Sequence, residues 1–323
     1  MPRIRAPRRG SMEYWPRKRA ADIVAHIRTW TPTKDAKLLG FAAYKVGMTH
    51  VLVNDNRPTS ITKGEDIQVP VTILECPPIK IAAVMFYKKD AYGLHCVGQI
   101  NSDKLDKEAS RSIIPSKKQP KQANTKDITD VRVLAYTQPK LTTIGKKKPE
   151  FFELGVGGTK PEDKLAFAQT ILGKEIKITD VFNEGQLVDV TSITKGKGVQ
   201  GPVKRFGIMI RAHKSEKTKR GPGSLGPWHG IGFNRVPHAG QMGFQQRTDH
   251  HKQILKINED ATKINAKGGF MRYGLVRNQY LLIKGSVGGA SKRLITMSTI
   301  RHPAQKLPKE PAPITYTSLT SKQ

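Results

Sequence analysis

The sequence has few cysteines, few acidic residues and no long apolar run. Two cysteines, Cys76 and Cys96, are too few for a disulfide scaffold and predict a reducing compartment. No stretch approaches the roughly 18 consecutive apolar residues of a membrane span. The opening stretch, "MPRIRAPRRGSMEYWPRKRA", lacks the apolar core of a signal peptide. These absences predict a soluble, intracellular (cytoplasmic) protein with no membrane partner.

The shortage of acidic residues leaves a large positive excess. Lys and Arg number 56 and Asp and Glu 26 among 323 residues, for a formal net charge of +30 and a sequence pI of about 10.2. An excess of this size predicts persistent attraction to a polyanion. Hydrophobic residues make up 37% of the chain and aromatic residues only 7%. We therefore expect part of the chain to lie outside a compact core.

Motifs for catalysis or for cofactor binding are missing or incomplete. There is neither a G-x-S-x-G elbow nor a P-loop. Residues 196–201 match the dinucleotide pattern G-x-G-x-x-G, but Gly207 limits the following helix to about "VKRF" and no repeating βαβ pattern surrounds it. His238, His250 and His251 lack the short paired Cys/His spacings of zinc sites. We expect no cofactor, no metal and no catalytic residue.

The hydrophobic pattern predicts a mainly β fold with an α+β insertion. "DIQVPVTILE" alternates as a half-buried strand does, and "IKIAAVMFYK" has the composition of a fully buried strand. Strands recur on both sides of two irregular regions, which predicts one β-barrel assembled from distant segments. We assign the barrel to residues 38–89, 186–210 and 248–302, and the insertion to residues 90–185.

One helix is predicted inside the insertion, in "TKPEDKLAFAQTILG". Thr159 and Glu162 have the spacing of a capping box, and Gly173 ends the pattern. Its apolar face would consist of Leu165, Ala168 and Leu172.

Three segments are predicted to be irregular. Residues 1–37 form a basic N-terminal arm that is expected to order on a partner. Residues 211–247 lack usable periodicity and are expected to form a long finger loop. The tail, residues 303–323, is rich in proline.

The positive charge is concentrated in a few of these segments. Thirteen Lys or Arg lie between Lys195 and Lys256 with only two acids. In the loop around residues 196–207, glycines would let backbone amides approach phosphate while lysines add charge; a flexible turn with solvated lysines is the alternative. Trp228 is expected to stack on a base or wedge into folded RNA, or else to pack on the finger's own apolar residues.

The candidate RNA-binding residues come from the arm, the glycine loop and the finger. They are Arg8, Arg9, Arg17, Lys18, Arg19, Lys195, Lys197, Lys204, Arg205, Lys214, Lys219, Arg220, Trp228, His229, Arg235, Gln241, Gln246 and Arg247.

Several motifs in order along the chain resemble one family. "TKGKGVQGPVKRFG", "GSLGPWH", "AGQMGFQQRT" and "YLLIKGSVGGASKRL" are similar to the universal large-subunit ribosomal protein L-three family. "PRRGSMEYWPRKRA" and "GFAAYKVGMTHVLVND" resemble its archaeal and eukaryotic branch. The resemblance runs from the N-terminus to about Arg301.

The resemblance implies a six-stranded barrel of the translation-protein type with an inserted α/β subdomain, a basic arm and a long finger. It also implies a non-enzymatic structural protein that binds large-subunit ribosomal RNA near its 3′ end and nucleates subunit assembly. The finger tip, Trp228-His229, would approach the peptidyl-transferase centre. Neighbouring ribosomal proteins, one of them near the elongation-factor site, would be partners.

Two positions depart from the family pattern, and two other functions stay open. Gly230 replaces the proline that follows the tip, and Gly288 replaces the proline of the usual "KGSVPG". Both changes remove a backbone constraint. An RNA-modifying enzyme or a duplex-DNA-binding protein could use the same basic surfaces.

Overall fold

The computed structural model describes residues 10–103, 105–113, 128–223, 225, 236–302 and 310–320. The chain divides into two compact units. The first, here called the barrel unit, consists of Asp22–Ser192 and Arg247–Gln323. The second, here called the arm–hairpin unit, consists of Met1–Ala21 and Ile193–Gln246.

Strands dominate the described residues, which confirms the predicted mainly β class. In chain order the elements are β1 (Gly40–Asn54), β2 (Asp66–Glu75), β3 (Ile79–Asp90), β4 (Gly93–Asn101), β5 (Asp130–Tyr136), β6 (Phe151–Gly155), α1 (Pro161–Ile171), β7 (Glu175–Ile176), β8 (Leu187–Ile193), β9 (Gly196–Gln200), α2 (Pro202–Phe206), β10 (Gly240–Gly243), β11 (Gln246–Asn258), β12 (Tyr280–Lys284), β13 (Leu294–Thr299) and β14 (Ile314–Thr317). None of the helices in these ranges has the length and hydropathy needed to cross a bilayer.

Six strands close into a barrel. The order β1–β2–β12–β11–β8–β13 returns to β1 through an antiparallel pairing in which Gly40 lies opposite Ser298 and Tyr44 opposite Leu294. The inward side chains, chiefly Val, Ile and Leu, are fully buried and form one continuous core with the neighbouring sheet. Because these segments combine β-branched residues with alternation or a buried run, they suit a pleated, packed surface.

A second sheet and the helix α1 form the insertion. Its order is β4–β3–β5–β6, and the short β7 pairs with β3. The structure differs from the predicted boundary, because β3 belongs to this sheet and not to the barrel. The chain leaves the barrel at Pro77-Pro78, which cannot donate ladder hydrogen bonds. A fully buried strand has the same sequence pattern in either sheet.

Helix α1 packs on β5 and β3 and buries Ala168, as its apolar spacing predicts. The predicted capping box was wrong. Lys160 is the N-cap residue, no side chain caps the helix, and Pro161 occupies the first turn. A proline with its fixed φ starts the helix one residue later than Thr159 would.

The second half of the predicted arm, residues 22–37, packs on the barrel unit. Ala25 and Ile27 are buried. The Trp30 ring lies against Gly155, where an added Cβ would come within 2.5 Å of its Cγ. The Thr31 hydroxyl donates to the carbonyl of Ile300 at 2.9 Å. These residues therefore find a partner within their own chain.

The tail also contains regular structure, contrary to expectation. β14 pairs with the second half of β1, with Val51 opposite Thr317 and Leu52 opposite Tyr316. Ile314 packs against the core, which compensates for the irregular composition around it.

Candidate nucleic-acid interface

The arm–hairpin unit is built around a two-stranded hairpin, β9 and β10. Gly240 lies opposite Gln200 and Gly243 opposite Gly196, with a register shift between Gln241 and Gly243. Gly243 has φ of 70°, and a Cβ there would lie 2.0 Å from the Lys195 carbonyl oxygen. Only glycine permits the two backbones to come this close.

The glycine fingerprint forms strand β9 and then the five-residue helix α2. Helix α2 ends at Gly207 in the left-handed region with φ of 64°, as the sequence predicts. A dinucleotide-binding loop needs a longer helix and a surrounding βαβ unit. The described topology around β9 contains only the antiparallel hairpin, which argues against a dinucleotide site.

Phe206 is the centre of a small core in this unit. Its side chain is buried, and the Trp15 ring stacks on it with centroids 5.8 Å apart. The guanidinium carbons of Arg17 and Arg205 lie 4.8 and 5.0 Å from the ring centroid. Gly10 also contacts this ring, since a Cβ there would lie 2.4 Å from Phe206 Cδ1. The first described residues of the arm are thus packed on α2.

The sequence reasoning missed Gly10, Trp15, Phe206 and Gly240 as residues that shape this unit. Trp15 and Phe206 were detectable in principle, because each is an aromatic residue close to a run of cations, Trp15 beside Tyr14 and Phe206 directly after Arg205. An aromatic ring in such a segment is as easily a base-stacking residue as a core residue. No sequence feature indicates that the two rings meet.

Arg205 is half-buried and donates to backbone carbonyls. Its Nη1 donates to His238 at 2.9 Å, its Nε to Gln241 at 3.2 Å and its Nη2 to Arg17 at 3.4 Å. Burial lowers the pKa of the Arg205 guanidinium, which still remains charged at neutral pH. Gln241, another candidate, turns its amide onto the carbonyls of Met242 and Gly243.

The other candidate cations of this unit point outward. Eight of them are exposed and form no ion pair with any described residue; they are Lys18, Arg19, Lys195, Lys197, Lys204, Lys214, Lys219 and Arg220. The described part of the unit holds twelve Lys or Arg and two acids, Glu13 and Glu216. Some lysines of the barrel unit, by contrast, pair with acids, among them Lys164 with Asp130 at 2.7 Å and Lys140 with Glu108 at 2.8 Å.

The remaining candidate RNA-binding residues do not belong to this set of exposed cations. Gln246 is exposed in the arm–hairpin unit, and Arg247 belongs to the barrel unit, where it is half-buried. Arg8, Arg9, Trp228, His229 and Arg235 lie outside the described residues.

The histidines are engaged with protein groups. In the barrel unit, His250 Nδ1 lies 2.9 Å from a carboxylate oxygen of the buried Asp189, and His251 Nε2 lies 3.0 Å from the His302 carbonyl. Within the described ranges, no group of three or more His, Cys, Asp or Glu is arranged to hold a metal ion.

The comparison with known families decides the identity. The profile described as "Ribosomal protein L3" matches residues 1–323. The chain belongs to the ribosomal protein L3 family. The family is one of structural ribosomal proteins, which confirms that the chain is a ribosomal constituent and not an enzyme.

Archaeal relatives match over essentially their whole length, and each is named large ribosomal subunit protein uL3. The protein of Archaeoglobus fulgidus is 46% identical, with 98% of each chain covered. That of Methanocaldococcus jannaschii is 44% identical, covering 99% of this chain and 98% of the relative. That of Methanothermobacter thermautotrophicus is 43% identical, covering 100% and 99%. These archaeal relatives confirm the predicted archaeal and eukaryotic branch of the family.

Proposed function

We propose that this chain is a structural protein of the large subunit of the cytoplasmic ribosome, and that its arm–hairpin unit is the principal contact with ribosomal RNA. The observation that carries this is the set of eight exposed cations without an acidic partner. Unpaired cations keep their full attraction for phosphate, and counterions leave the RNA when they bind.

The glycines support the same surface. Gly201 has an ordinary φ of −68°, and a Cβ built there would meet no atom within 4 Å. Neither its backbone conformation nor its packing within the chain requires glycine. An external backbone that approaches closely would require it, and a phosphodiester chain next to Lys197 and Lys204 fits that requirement.

The family resemblance supports the finer assignments within this proposal. They are binding near the 3′ end of the large-subunit RNA, an early role in assembly and a neighbouring protein near the elongation-factor site. We assign the approach to the peptidyl-transferase centre to the segment that carries Trp228 and His229.

The salt dependence of binding tests the proposal. The full-length chain is titrated against a transcribed large-subunit RNA and against duplex DNA of equal length. If the eight cations each meet a phosphate, log K falls with log salt at a slope of roughly −6 to −7. A nearly flat slope, or equal affinity for duplex DNA, would contradict the proposal.

A matched pair of variants tests whether the phosphate contacts are made by the arm–hairpin unit. Lys197→Ala should reduce the slope by about 0.7–0.9, since one phosphate contact is lost. Lys140→Ala, which removes a lysine paired with Glu108 in the barrel unit, should leave the slope unchanged. Equal losses in both variants would mean that the contact is spread over the whole surface.

A further inference from the structure

We propose that Arg205 is a positioning residue, which fastens the N-terminal segment to the hairpin so that other cations meet RNA, and that it does not itself bind phosphate. This inference rests on the proposed function, and it separates two adjacent residues, Lys204 and Arg205, that charge alone would treat alike.

The first argument is the use of the guanidinium within the chain. Its three acceptors are the carbonyls of Arg17 in the arm, His238 before β10 and Gln241 within β10. A planar fork with five N–H donors can hold three carbonyls at once, whereas an ammonium group is a single point of charge. Arg205 therefore joins two segments that are distant in sequence.

The second argument is the space made for the group. A Cβ at Gly240 would lie 2.9 Å from Arg205 Nη1 and 3.0 Å from Cζ. Gly240 does not have a positive φ, so its backbone conformation does not demand glycine. The missing side chain instead leaves room for the guanidinium, whose Cζ lies over the Phe206 ring, 5.0 Å from its centroid.

The third argument is the contrast with the preceding residue. Lys204 is exposed and has no hydrogen-bond or ion-pair partner among the described residues. Arg205 holds the carbonyl of Arg17, directly before the exposed Lys18 and Arg19. Fixing the backbone that carries Lys18 and Arg19 before binding reduces the conformational entropy that binding must remove.

A backbone amide of the arm can report whether the arm is docked on the hairpin. The Ala20 amide donates to the Phe244 carbonyl at 2.8 Å, so hydrogen exchange at Ala20 measures whether the arm is docked on the hairpin. This measurement needs only the free full-length protein, and its outcome does not depend on whether RNA binds.

The experiment compares Arg205→Met with Lys204→Met in the full-length chain. Arg205→Met should speed exchange at Ala20 at least tenfold and weaken RNA binding several-fold at every salt concentration, with an unchanged salt slope. Lys204→Met should leave exchange unchanged and reduce the slope by about 0.7–0.9. The inference is overturned if Arg205→Met exchanges as the wild type does, or if it lowers the slope as Lys204→Met does.

A third variant controls for the loss of charge. Gly240→Val keeps every cation but fills the space of the guanidinium with a branched side chain, which the flexible end of Arg205 cannot avoid by a small shift. It should reproduce the faster exchange at Ala20 with an unchanged slope. Wild-type exchange in this variant would refute the role of Arg205 as a fastening group. If the wild-type chain failed to bind RNA while both exchange effects appeared, the proposed function would fail and the fastening role would stand.

Discussion

Replacing Glu75, a carboxylate sealed inside the barrel unit, should separate the contribution of its charge from that of its shape. Glu75 ends β2 and has no exposed surface. Its Oε1 accepts from the Arg277 amide at 2.8 Å, the Asn278 amide at 3.0 Å and Asn278 Nδ2 at 2.8 Å. Its Oε2 accepts from the Tyr273 hydroxyl. Burial, and then the Glu75 charge, raise the pKa of Tyr273, which therefore stays a donor.

The magnitudes follow from the number of donors. Glu75→Gln still presents one oxygen to the three donors that bond to Oε1. The hydrogen bonds become weaker because the acceptor is no longer charged, but burying a neutral amide costs less than burying a carboxylate. The unfolding free energy should therefore fall by about 1–3 kcal/mol. Glu75→Ala leaves three donors without an acceptor, the Tyr273 hydroxyl and the Arg277 and Asn278 amides, whereas Asn278 Nδ2 keeps the Leu141 carbonyl at 3.1 Å. At about 1–3 kcal/mol for each unsatisfied donor, the loss should be at least about 3 kcal/mol.

Urea unfolding followed by circular dichroism measures both changes. Glu162→Gln, at an exposed glutamate in the first turn of α1, is the control and should change the unfolding free energy by less than about 0.5 kcal/mol. If Glu75→Ala cost no more than Glu75→Gln, the reasoning from unsatisfied donors would be refuted.

Three further predictions concern other described residues. Gly201→Ala should preserve the melting temperature but weaken RNA binding several-fold in a filter-binding assay, while Gly47→Ala in β1 should leave binding unchanged; equal effects would exclude a close contact at Gly201. Trp30→Ala should lower the unfolding free energy by roughly 3 kcal/mol, since a large ring leaves its place on the core, and calorimetry showing an unchanged melting temperature would contradict this. Burial raises the pKa of Asp189, but hydrogen bonds from His250 and from two backbone amides together lower it by more than burial raises it. The pKa of Asp189 therefore lies below its usual value. The stability that this carboxylate contributes is full above the ordinary pKa of about 3.9 and is lost as the pH falls through the folded value; the stability gap between wild type and Asp189→Asn should therefore shrink on acidification, and a gap that widened would refute the assignment.

Much of the barrel could be predicted from the sequence because its strands alternate or run apolar. The pattern identified β2 as a strand and α1 as a helix, and both are present. The pattern could not assign β3 to a sheet, since burial on both faces looks alike in any sheet. It also missed β14, whose partner β1 lies at the other end of the chain.

The arm–hairpin unit was harder to predict, because its organisation depends on backbone groups and on missing side chains. Arg205 bonds to carbonyls, and every residue has a carbonyl. The glycine that makes room for it, Gly240, has no special composition around it. Charge correctly located a basic region, but it could not distinguish Arg205, which is turned inward, from Lys204, which is turned outward.

The closing seam between β1 and β13 has a consequence for biosynthesis. During translation Gly40 is added 258 residues before its partner Ser298. Until then β1 has one unsatisfied edge, and such edges adhere to other chains. Ring closure between such distant segments is also slow. If translation stops before residue 294, β1 therefore keeps an unpaired edge that can aggregate with other chains. We expect this edge to need protection by a chaperone until β13 has been made.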